Sequence, residues 1–138
     1  MIDWSQVVTA EQQQETDRQA LRDQIASRRH EAMCAGISIA GMSVATDDIS
    51  QTRFAGAAVS AMLDPGYAVR WKTGDGSFRL LSGAEIIAIA TAVRAHVQAC
   101  YDREADLLAA LDAGEAVDPD AGWPCDQHPR GQPLDRQL

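Results

Sequence analysis

The sequence predicts an α+β fold: a small antiparallel sheet of two hairpins packed by helices, with long N- and C-terminal helices and an extended C-terminal tail. Three observations predict it. Two short stretches alternate apolar and polar residues with period two, each broken by a glycine-bearing turn. Apolar residues before, between and after them recur at helical spacing. The helical stretches open on N-cap residues and close on glycine or proline. The order helix, hairpin, helix, hairpin, helix calls for about four strands, with helices on one face.

The first element follows from Thr9-Ala10-Glu11-Gln12, a capping box with Thr9 as N-cap and Gln12 at N3. Helix formers continue to about Met33, and Gly36 is placed to end the run. Its first half, EQQQETDRQ, is polar on every face, the pattern of a solvated helix or of one that leans on something outside the domain. Next, Ile37-Ser38-Ile39 and Met42-Ser43-Val44 flank Ala40-Gly41 as a short hairpin. Thr46-Asp47-Asp48 caps a helix over about 48–63, with Ile49, Ala55, Val59, Met62 and Leu63 at near-helical spacing, and Asp64-Pro65-Gly66 breaks it. Tyr67 to Thr73 alternates strictly, Gly74-Asp75-Gly76 turns the chain, and Ser77 to Leu81 returns. Ser82-Gly83-Ala84-Glu85 is a second capping box, opening a helix that runs to about Asp112 and stops at Gly114. The organisation is therefore a leader and helix over 1–35, a compact unit with its long helix over 36–113, and a Pro/Gly/Asp-rich tail over 114–138.

Size sets up an expectation about surfaces. A helix of about 30 residues is roughly 45 Å long, whereas the compact unit has a diameter of roughly 30 Å. The last helix should overhang, and so should the first, roughly 36 Å long, with pairing of the two as a stalk one arrangement open to them. The first helix offers it few apolar partners (Leu21, Ile25, Met33), so Leu107, Leu108 and Leu111 are expected to form an exposed patch that marks an interface. Trp4, Val7 and Val8 in the leader, and Trp123 and Leu134 in the tail, are the further candidate partner-binding residues.

Composition excludes several classes. The 138 residues carry 46% apolar and 23% charged residues, ordinary for one globular domain. A net charge of −8 disfavours nucleic acid and anionic membranes as partners. No apolar run reaches the length of a membrane span, and the N-terminus lacks the pattern of a secretory signal. Three widely spaced cysteines fit a reducing compartment better than a disulfide framework.

Chemistry-bearing motifs are sparse. His30-x3-Cys34 recurs as His96-x3-Cys100, and each pair falls on one helix face. Four such ligands could make a tetrahedral zinc site; equally, buried Cys and His are ordinary core residues, and neither pair has the two-residue knuckle spacing. No phosphate loop, dinucleotide fingerprint, nucleophile elbow or calcium loop occurs. Asp47 and Asp48 read as helix caps. The expectation is a protein without catalytic residues, resident metal or cofactor, a small zinc or thiol enzyme being the remote alternative.

The segments RRHEAMCAGISIAGMSVATDDISQTRFAGA and VRWKTGDGSFRLLSGAEIIAIATAVRAHVQACYDRE resemble a small domain of unknown function found in tail-fibre and tail-fibre-assembly proteins of tailed bacteriophages. That pattern has an apolar hairpin, a T-D-D-x-S-Q helix start, a W-K-x-x-D-G hairpin and an A-V-x-x-H-V-x-A helix. The leader IDWSQVVTAEQQ is similar to a segment near the ends of phage tail proteins. Ala40-Gly41 departs from the pattern, which often has Asn-Gly there and leaves the turn type open. The tail after Gly114 lies outside the resemblance. The resemblance implies a non-enzymatic structural component of the virion tail (tail tip, baseplate or fibre attachment), made in the host cytoplasm. It would bind other tail or tail-fibre proteins as a homo-oligomer or hetero-assembly. A tail-fibre assembly chaperone, absent from the mature particle, is the alternative.

Overall fold

In the computed structural model, residues 9–124 are described. Three helices and four strands follow in the order α1 (Ala10–Met33), β1 (Ile37–Ile39), β2 (Met42–Val44), α2 (Asp48–Leu63), β3 (Ala68–Lys72), β4 (Phe78–Ser82) and α3 (Gly83–Asp112). The architecture is α+β, as the period-two and helical patterns require. Both capping boxes are formed: Thr9 Oγ1 accepts from Gln12 N while Gln12 Oε1 accepts from Thr9 N, and Ser82 and Glu85 do the same for α3. Asp47 caps α2, and hydrogen bonds from Ser50 hold its carboxyl below the usual carboxylate range. At the far end of α3, Gly114 N donates to Leu111 O and Glu115 N to Ala110 O, a Schellman closure.

The strands do not join into one four-stranded sheet. β1 pairs with β2 and β3 with β4, each as a separate antiparallel ribbon. At three residues each, β1 and β2 leave little edge to extend, and the turn of the second ribbon meets the first through Gly74 N donating to Ser43 O at 2.8 Å. A Cβ at Gly74 would stand 2.6 Å from Ser43 Oγ, so the approach requires glycine. The turn of the first ribbon is settled too. Ala40 (φ 49°) and Gly41 (φ 78°) are both left-handed, the conformation of a type I′ turn, and Ala40 is the one non-glycine residue at positive φ among the described residues. In the second turn, Asp75 accepts from Thr73 Oγ1, from Ser77 N and from Ser77 Oγ, and these bonds pull its carboxyl down to about 2.

Two hydrophobic clusters hold the molecule together. The first joins the hairpins to α2 and the first half of α3: Met42, Val44, Phe54, Ala57, Ala61, Leu81, Ile86, Ile89 and Val93. Trp71 of β3 stacks on Phe54 of α2 at 4.3 Å between ring centroids. The second joins α1 to the other half of α3: Ile25, Ala32, Met33, Cys100, Leu107 and Trp123. The two long helices run antiparallel, as three links show. Arg22 reaches Asp112 at 3.0 Å, Arg29 reaches Glu104 at 2.8 Å, and His96 Nε2 meets the Ala32 carbonyl at 2.9 Å.

The expected overhang of α3 is corrected by this second cluster. Leu107 and Leu111 are buried and Leu108 is half-buried, so they do not form an exposed patch. The reason lies in partners that a count of apolar residues in α1 passes over. Arg28 lies buried with its guanidinium 6.0 Å from the Trp123 ring, Ala32 is fully buried, and the chain after Gly114 folds back. Trp123 is only 1% exposed, its indole Nε1–H donating to Pro119 O at 2.8 Å, and Arg103 Nε donates to Ala121 O. The segment expected to run extended thus closes the core up to residue 124. The overhanging rod is α1, whose residues 10–20 are all exposed.

Candidate functional site

Two features of the surface carry chemical information: an apolar face on the hairpin half, and a cluster of ligand atoms where α1 ends and α2 begins.

The apolar face follows from α2 being apolar on more than one side. Phe54, Ala57 and Ala61 point inward, and Ile49, Val59, Met62 and Leu63 remain outside. Met62 is 75% exposed and Leu63 81%. Between α2 and α3 lies a trough of about 410 Å³ lined by Gln51, Phe54, Ala55, Ala58, Met62, Ile87, Ala90, Thr91, Val93, Arg94 and Val97. Of its lining, Phe54 and Val93 are buried and Met62 and Ile87 are exposed. The outer face of β3–β4 extends the apolar character with Phe78 and Leu80, both exposed, directly opposite Lys72 and Arg70. This half also differs in charge. Over residues 37–97, Arg53, Arg70, Lys72, Arg79 and Arg94 balance Asp47, Asp48, Asp64, Asp75 and Glu85, so a neutral stretch sits inside a chain of net charge −8.

The ligand cluster follows from the turn between α1 and β1. His30 and Cys34 are one helical turn apart at the C-terminus of α1, so their side chains share a face. Asp48, the first residue of α2, faces them: His30 Nε2 is 3.8 Å from Cys34 Sγ and 3.6 Å from Asp48 Oδ2. The three ligand atoms lie within 4.8 Å of one another. Thr46, fully buried, fixes the two helix ends together. Its hydroxyl donates to Met33 O and accepts from Gly36 N at 2.9 Å, while Gln51 Nε2 donates to Thr46 O. Burial pushes the Cys34 thiol up, and Asp48 and Asp47 push it further in the same direction.

The sequence-predicted candidates are distributed as follows. Trp4, Val7, Val8 and Leu134 lie outside the described residues. Leu107, Leu111 and Trp123 are core residues and Leu108 packs against them, so these four are corrected from a partner surface to an intrachain contact. The His30, Cys34, His96, Cys100 quartet is not brought together as one set of ligands. His96 is engaged by the Ala32 carbonyl and Cys100 is fully buried in the second cluster; Asp48, first read as a helix-start residue, joins His30 and Cys34 instead. The trough was missed because α2's apolar residues all read as core. Ile49, Ala55, Val59, Met62 and Leu63 are all exposed, and the core side of α2 is Phe54, Ala57 and Ala61 instead; the signal was that the two sets together spread round the helix more widely than one buried stripe needs.

An α+β domain with an open apolar face and no recognisable reaction motif is the class this geometry defines. The chain belongs to the family described as a domain of unknown function, DUF4376, which matches residues 16–122. The match takes in the packed half of α1, both ribbons, α2, α3 and the fold-back up to Gly122, so the segment that closes the second cluster falls almost wholly within the family's unit. No curated protein matches the chain, and no solved structure matches it. No helix among the described residues is long and apolar enough to cross a membrane.

Proposed function

We propose that the protein is a non-catalytic docking module, a structural component of a bacteriophage tail that holds a neighbouring tail protein on its α2–α3 face. The observation that carries the docking role is the trough, whose lining leaves Met62 and Ile87 exposed. A contiguous apolar surface of this kind is costly in water and marks an interaction site. Its shape suits a helix laid between two helices. Arg94 in its lining favours a partner segment that is apolar on one side and carries an acidic residue beside it. The tail setting is supported by the sequence resemblance, from the T-D-D-x-S-Q helix start to the W-K-x-x-D-G hairpin.

The test is incorporation into purified particles, with copy number measured by mass spectrometry. A whole-number copy per tail supports a permanent component. Presence in infected cells but absence from particles would replace this reading with the assembly chaperone. Met62→Glu with Leu63→Glu should abolish incorporation while leaving the melting temperature of the isolated protein close to that of the parent, since neither side chain is buried. Normal incorporation of that variant would remove the α2–α3 face from the interface.

A further inference from the structure

We propose that His30, Cys34 and Asp48 form a binding site for a zinc-class divalent cation, clipping the end of α1 to the start of α2. The geometry is the first argument. Zinc bonds of about 2.0–2.3 Å to nitrogen, oxygen and sulfur in a tetrahedral arrangement place neighbouring ligand atoms roughly 3.3–3.7 Å apart. The same imidazole nitrogen, Nε2 of His30, lies 3.8 Å from Cys34 Sγ and 3.6 Å from Asp48 Oδ2. These two edges need to close by only a few tenths of an ångström, and the third, between Cys34 Sγ and the Asp48 carboxylate, is within 4.8 Å.

The donor set is the second argument. One imidazole, one thiolate and one carboxylate suit a borderline cation such as zinc or cobalt, whereas magnesium and calcium require oxygen ligands. Three protein ligands leave a fourth position for water or for a donor brought by a partner.

Support behind the ligands is the third. His30 and Cys34 are spaced by one turn of a helix whose other side is packed in the second cluster. Asp48 is fixed at the first position of α2 by the Asp47 cap. Buried Thr46 ties the two elements to each other through Met33 O and Gly36 N. The ligands therefore sit on helix ends whose separation is set by the fold, the arrangement that lets a site bind without rebuilding its backbone. The carbonyl end of α1, with Asp47 and Asp48 beside it, also makes the corner electronegative.

The test is titration of the reduced full-length chain with Co²⁺ alone, followed by Zn²⁺ competition. The expected result is one equivalent bound, with a near-ultraviolet thiolate-to-cobalt band and four-coordinate visible bands that zinc abolishes. Cys34→Ser should remove the thiolate band, and His30→Ala and Asp48→Asn should each weaken binding at least about tenfold, the lower limit for loss of even a supporting group. Cys125→Ser should change nothing. A protein without the thiolate band at saturating cobalt, or one whose band survives Cys34→Ser, would overturn the site, as would unchanged affinity in His30→Ala. In the unmutated chain, zinc should slow alkylation of Cys34 and leave Cys125 untouched. Equal rates with and without zinc would count against the site independently of how any variant folds.

Discussion

Around Phe54 and Ile86 the apolar contacts spill onto the surface; around Trp123 they stop at a polar shell. The two clusters are built from the same kinds of side chain, and α3 runs through both. The difference lies in what covers them. In the second, Arg22–Asp112 and Arg29–Glu104 bridge the two helices, Arg29 also lies 4.6 Å from the Tyr101 ring, and the fold-back brings Trp123 down as a lid. In the first, α2 is apolar outside as well as inside, and no described segment lies over Met62, Leu63 or Ile87. Where a chain has a polar shell available and uses it on one half only, the uncovered half is the better candidate for a partner. That contrast moves the proposed docking surface from the helix ends, where length alone had placed it, to the flank of α2.

Five substitutions sharpen or break the contrast. Trp123→Ala should be the most damaging, lowering stability by about 3–5 kcal/mol and loosening α1 from α3; urea unfolding measures the first and amide exchange in α1 the second. A loss under about 1 kcal/mol would mean that the fold-back is decoration and the second cluster is open like the first. Arg29→Ala should cost about 1.5–3 kcal/mol, because its bond to Glu104 joins two groups that are only 19% and 20% exposed and is charge-assisted. The effect should change little with added salt; strong salt dependence would place the pair in open solvent. Ala40→Asn should raise stability by about 1 kcal/mol, since asparagine tolerates the left-handed conformation that the type I′ turn imposes on Ala40. No gain in the denaturation midpoint would show that the turn relaxes in solution. Smallest of all, Met62→Ser and Leu63→Ser should each change stability by less than about 0.5 kcal/mol, with reduced binding of an apolar dye as the visible consequence. A large loss would show that the exposed flank of α2 belongs to the fold and not to an interface.

Much of the fold was legible because its signals are local. Thr9 with Gln12, and Ser82 with Glu85, announce two helix starts by themselves; Gly36 and Gly114 mark two ends; Tyr67 to Thr73 alternates without a break. The failures share one cause, contact between residues far apart in sequence. The closing of Leu107 depends on Ala32 and Trp123, neither of which shows itself as its partner from spacing. The two ribbons form no common sheet, and they meet through a single close approach at Gly74 that no periodicity records. The ligand cluster was half visible: the helical spacing of His30 and Cys34 is readable, whereas Asp48 arrives through a hairpin and was read as a cap residue. For the same reason the duplicate spacing at His96 and Cys100 was misleading, since identical intervals on two helices say nothing about which faces meet.

The exposed start of α1 has a consequence of its own. An isolated polar helix of that length would melt in water, because forming its first turn is unfavourable and few contacts compensate. Here residues 10–20 grow from a stem already seated against α3, so the costly first turn is inherited and only propagation remains. The arm is therefore stiff near Leu21 and frays progressively toward Thr9, which stands roughly 15–18 Å beyond the stem at the rise of an α-helix.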